Sequence, residues 1–84
     1  MLIKKLNNRG GIVLKEIVIE TEFIRVDQLL KYASIASTGG EAKIIIQEGM
    51  VKVNGEVTLQ RGKKIKHGDI VEVNDIKFEI LVKN

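Results

Sequence analysis

Gly49-Met50-Val51-Lys52-Val53-Asn54-Gly55 decides how the chain is read. Upstream of it, apolar residues recur at helical spacing. Within it and beyond, they recur at every second position, the period of a strand. Val51 and Val53 flank Lys52, and Asn54-Gly55 is the dipeptide of a tight hairpin, whose central residues need positive φ. Gly49 is placed as the left-handed residue just past a helix end. Glu56 to Leu59 reads as a weak return strand.

Working upstream, Ala42, Ile45 and Ile46 form one face of a helix running from about Gly39 to Glu48. Thr38 and Glu41 have the spacing of a capping box at its start. Before it, Val26, Leu29, Leu30, Ala33 and Ala36 fall on one helical face, which predicts a first helix over 26–36. Asp27 suits the dipole of its first turn, and Ser37-Thr38-Gly39-Gly40 breaks it. The connection is very short, so the two helices form a hairpin. Ile17, Ile19 and Thr21 alternate with Val18, Glu20 and Glu22, predicting a strand over 15–21 at a sheet edge. Working downstream, Gln60 to Gly68 reads as a basic loop, with a turn at His67-Gly68-Asp69. Ile70 to Val73 is a strand and Asn74-Asp75 a two-residue turn. Ile76 to Val82 is the last strand, with Ile76, Phe78, Ile80 and Val82 on one face. The expected class is α+β: a two-helix hairpin on a small antiparallel sheet of about five strands.

Composition narrows the function. The chain has 84 residues, 44% apolar and 30% charged, the balance of one small globular domain. It has no Cys and one His, which excludes disulfides, thiolate chemistry and a His-rich metal site. No apolar run approaches the ~20 residues that span a bilayer, and the first residues lack the apolar core of a secretory signal. A cytoplasmic monomer is expected. The formal charge is +3, and its position says more than its size. Arg61, Lys63, Lys64 and Lys66 crowd into one short segment with no acid among them. A local basic cluster is the footprint expected for a polyanion, or simply a solvated loop.

Four elements then fall into a known order: Arg25-Val26-Asp27, Gly40-Glu41-Ala42-Lys43, Gly49 to Gly55, and Gly68-Asp69. Together they resemble the S-four RNA-binding domain, named after a small-subunit ribosomal protein, over residues 17–82. Ser37-Thr38-Gly39-Gly40-Glu41-Ala42-Lys43 and Gln60-Arg61-Gly62-Lys63-Lys64-Ile65 look most like its small stand-alone bacterial YaaA and YbcJ types. The resemblance implies the two-helix, alpha-L type of fold and a surface of cations presented to structured RNA. It assigns RNA contact to Arg25, Lys31, Gly39, Gly40, Lys43, Arg61, Lys63, Lys64 and Lys66.

Elementary chemistry is compatible with those roles. Lys31 lies beside the apolar stripe of the first helix, and Lys43 follows the buried Ala42 on the second. Gly39 and Gly40 put backbone N–H groups at a helix N-terminus, where a phosphate can approach. The plain alternatives are ordinary exposed lysines, and for Arg25 an ion pair with an acid at the helix start. Asp27 reads as a structural helix-start residue, Asn54 and Gly55 as turn chemistry, and His67 as an exposed turn residue. With Phe23, Tyr32 and Phe78 as the only aromatics, a stacking platform for single strands is not expected. Duplex RNA, read by shape and phosphates, needs none. A nucleophile, base and orienting group are not evident as a set, so no enzyme and no cofactor or metal is expected. The expected function is a non-enzymatic RNA-binding protein on ribosomal RNA or the ribosome, in its assembly or maintenance, away from membranes. The alternatives are a protein-binding adaptor and a quality-control factor that binds transfer RNA at the large subunit.

Residues 1–13 stand apart. Residues 1–11 show no clear period, and residues 1–13 hold Lys4, Lys5 and Arg9 and account for the whole net charge, because residues 14–84 carry equal numbers of acids and bases. Arg9-Gly10-Gly11 can be encoded by a bacterial ribosome-binding sequence, with alternative start codons for Val13 and Leu14 following it. They are expected to be a disordered or mis-annotated extension of a single domain over 14–84.

Overall fold

The computed structural model describes residues 2–9 and 12–83. The elements run β1 (Leu2–Arg9), β2 (Ile12–Ile19), β3 (Phe23–Arg25), α1 (Val26–Tyr32), α2 (Gly39–Gln47), β4 (Val51–Val53), β5 (Glu56–Val57), β6 (Lys64–Lys66), β7 (Ile70–Val73) and β8 (Ile76–Val82). Six strands form one sheet in the order β1-β2-β8-β7-β4-β5, and β3 with β6 forms a separate two-stranded ribbon. Two helices with these sheets make an α+β fold.

The expected two-helix hairpin on an antiparallel sheet of about five strands is refined in the sense of one strand pair. The main sheet is mixed, because β2 runs parallel to β8, from Val13 opposite Ile76 to Ile19 opposite Val82. Alternation has the same period in either direction. Only the path of the chain, which crosses both helices between β2 and β8, sets the sense. Strand β2 also lies between β1 and β8 rather than at an edge, and it starts at Ile12 and ends at Ile19. Residues 2–9, which show no side-chain period, pair with β2 through the backbone, with a register shift between Lys5 and Asn7. The loop expected at Gly10 and Gly11 falls outside the described residues.

Helix α1 ends at Tyr32, one turn earlier than the apolar spacing predicts. Ser34 adopts a left-handed φ of 61°. Its N–H donates to the Lys31 carbonyl and that of Ile35 to Leu30, which together close a Schellman motif. Ala36 still reaches the core, 3% exposed, but from the connection. Helix α2 begins as the sequence predicts: the Glu41 N–H donates to Thr38 Oγ1 at 3.1 Å. It ends on Gly49, with φ 77° and the same paired closure by Gly49 and Met50.

The core lies between the helices and one face of the main sheet. Leu29, Leu30, Ala42 and Ile46 meet Ile17, Ile19, Val51, Val71, Phe78 and Ile80, all buried. Ile24 and Ile65, opposite each other in the ribbon, complete it. Among the described residues no helix is long and apolar enough to cross a membrane.

Candidate nucleic-acid interface

The ribbon brings together the largest group of the residues expected to contact RNA. The segment 60–68, expected as a loop, contains strand β6, because Lys64-Ile65-Lys66 alternates and Ile65 is fully buried. With Ile24 and Ile65 turned inward, Phe23, Arg25, Lys64 and Lys66 occupy the outward face. Arg25 lies directly opposite Lys64, and Phe23 opposite Lys66. Like charges directly opposed in a strand pair are unfavourable. In the main sheet Lys52 and Lys77 both face Glu72, while Lys5 lies opposite Lys15 and Glu16 opposite Glu79.

The ribbon is joined to α1 by its backbone. The first N–H groups of a helix have no partner inside it. Here the Val26 N–H donates to the Lys63 carbonyl at 3.0 Å, and the Asp27 N–H to the Arg61 carbonyl at 3.1 Å. The basic segment is thereby tied to the helix start, and its cationic side chains stay exposed. The turn leading into it is braced where the Gln60 N–H donates to Oγ1 of Thr58, a buried residue.

Asp27 organises the junction. It is 7% exposed, and its Oδ1 accepts from Arg25 Nε at 3.1 Å and from the Gln28 N–H at 2.9 Å. Gln28 Oε1 in turn accepts from the Arg25 N–H. Arg25 thus forms the ion pair read as its plain alternative, and its side chain nonetheless remains 47% exposed.

The motif at Asn54 and the one at Asp69 are one hydrogen-bonded unit. Asn54, at φ 51°, donates through Nδ2 to Asp69 Oδ1 and accepts at Oδ1 from the Ile70 N–H. Asp69 Oδ2 accepts from the Lys66 N–H at 2.8 Å, which fixes the end of β6. His67 is exposed, and its Nδ1 accepts from the Val82 N–H at 2.9 Å.

The nine residues expected to contact RNA fall into three groups. Arg25, Lys64 and Lys66 share the ribbon face, with Arg61 and Lys63 on the segment tied to α1. Lys31 sits exposed in the last turn of α1. Gly39, Gly40 and Lys43 lie on α2, and no hydrogen bond or ion pair among the described residues joins them to the ribbon. A Cβ on Gly39 would meet nothing within 4 Å, so neither crowding nor φ requires glycine there. Phe23, which the sequence does not mark as a site residue, also lies on the ribbon face. It is 37% exposed, and the Lys64 ammonium lies 4.7 Å from its ring centroid. The signal available in the sequence was its place next to the alternating pair at Ile24 and Arg25.

Comparison with known proteins identifies the family of the fold. A family model described as "S4 domain" matches residues 17–81. A probable ribosome maturation protein, RlbA, of Bacillus subtilis (strain 168) is 44% identical over 57 residues, covering 68% of this chain and 80% of that protein. The ribosomal large subunit pseudouridine synthase B of the same organism is 40% identical over 55 residues, covering 66% of this chain and 22% of the synthase. The small ribosomal subunit protein uS4 of Finegoldia magna is 26% identical over 72 residues, 86% of this chain and 36% of uS4. The match runs from the middle of β2 to the end of β8 and takes in the helices, the ribbon and both linked turns, so the chain belongs to the S4 domain family.

Proposed function

We propose that the protein is a non-enzymatic RNA-binding module that contacts structured ribosomal RNA during ribosome assembly or maintenance. The observation that carries this reading is the ribbon face. Arg25, Lys64 and Lys66 share that face, and Arg25 stays 47% exposed although it is paired with Asp27, so the three cations are open to a phosphate backbone. Arg61, Lys63 and Lys31 extend the positive surface, and Gly39, Gly40 and Lys43 offer a second contact at the start of α2. Similarity to a ribosome maturation protein and to uS4 supports a ribosomal RNA partner. The likeness to the pseudouridine synthase spans about a fifth of that enzyme and brings no chemistry with it.

The test is the salt dependence of binding to a structured RNA. Each phosphate neutralised contributes about 0.7–0.9 to the slope of log K against log salt. Replacing Lys63, Lys64 and Lys66 with Ala is expected to weaken binding at low salt and flatten the slope by about 2. An unchanged slope removes these lysines from the interface. Crosslinking followed by RNA sequencing identifies the partner: ribosomal RNA is the expected outcome, and exclusive recovery of transfer RNA would favour a quality-control role.

A further inference from the structure

The groove between the ribbon and α1 is a different kind of surface from the cationic face beside it. It is open, encloses about 750 Å³, and is lined by Thr21, Phe23, Ile24, Gln28, Lys31 and Tyr32. Two of the three aromatic residues of the chain therefore meet in one place. Phe23 is a large apolar side chain left 37% exposed although the domain has a core to receive it.

We propose that this groove takes one unpaired nucleobase of the RNA held on the ribbon. The inference rests on the RNA-binding reading and adds to it a specific feature of the target. A base has an apolar π face and a polar edge, and the groove supplies both complements. Phe23 and Tyr32 provide aromatic surface, and stacking on such rings is tolerant of base identity. Gln28 provides the edge contact: its Oε1 is committed to the Arg25 N–H, which leaves its amide hydrogens to donate. Charge complementarity singles out RNA as the occupant. Lys31 lines the groove itself, and Arg25, Lys64 and Lys66 share the ribbon face with Phe23. A nucleotide whose base enters the groove thus has cations on hand for its phosphates. A scarcity of aromatics argues against stacking only while they are scattered, and here they converge. The expected target is a duplex with a bulged or terminal unpaired nucleotide rather than an uninterrupted stem.

The experiment compares three RNA hairpins of the same stem by fluorescence anisotropy with the full chain. One stem is uninterrupted, one has a single bulged nucleotide, and one has an abasic bulge that keeps the backbone distortion but lacks the base. The bulged hairpin is expected to bind about tenfold more tightly than the abasic one. Phe23→Ala is expected to bring the bulged and abasic hairpins to equal affinity, and a cooperative urea transition shows that the variant is folded. Phe23→Tyr is expected to retain the difference. Equal affinity for the bulged and abasic hairpins overturns the inference, as does a Phe23→Ala loss of equal size on all three. Salt-dependent binding without base preference overturns the inference alone. The absence of binding to any of the three overturns the RNA-binding reading with it.

Discussion

Asn54 shows how much one residue can hold in a domain of this size. It occupies a left-handed position in the hairpin, donates to Asp69 and accepts from Ile70. A turn residue alone is replaceable; one that also ties two turns together is not. Asn54→Ala removes both side-chain bonds and strains the backbone. It is expected to lower stability by about 2 kcal/mol, read as a fall in the urea midpoint with unchanged m-value. Asn54→Gly keeps the turn and loses only the bonds, so its loss is expected to be smaller. Ser34 presents the opposite case, a left-handed position held by a residue with no preference for it. Ser34→Gly is expected to raise stability by about 0.5–1 kcal/mol in the same assay. That serine is also why the end of α1 was not legible in the sequence. Glycine announces a helix end and Gly49 does so, whereas serine at the same position carries no such signal.

At the scale of elements, the ribbon ties the proposed RNA-contact surface to the core. Three-residue strands have little hold on each other. Here β3 and β6 are pinned from below by Ile24 and Ile65 and from one end by α1, through the carbonyls of Arg61 and Lys63. Ile65→Ala would leave a cavity under the ribbon and is expected to cost about 2–4 kcal/mol, measured by urea denaturation. Because the cations flank that anchor, RNA affinity is expected to fall with it under conditions where the variant remains folded. The alternation of Lys64-Ile65-Lys66 was present in the sequence, yet four cations around one isoleucine read as a solvated loop. Periodicity over three residues is too short to establish a strand, and only the partner strand β3 makes it one.

For the whole molecule, the division of labour follows the sheet. The family match begins at residue 17. A chain of residues 14–84 is therefore expected to fold cooperatively and to keep its RNA affinity at moderate salt. The check is a single urea transition together with binding to the same RNA. The sequence by itself determined the α+β class, both helix starts, the Asn54-Gly55 and Asn74-Asp75 turns, the apolar face of β8 and the cations that mark the surface. Each of these is written in a local period or a local dihedral preference, so neighbouring residues suffice to reveal it. The tertiary structure alone decided the parallel sense of β2 against β8, the ribbon, the bond between Asn54 and Asp69, and the placing of Phe23 and Tyr32 along one groove. Those features join residues far apart in the chain. Their partners are chosen by packing around a shared core, and no local pattern records that choice.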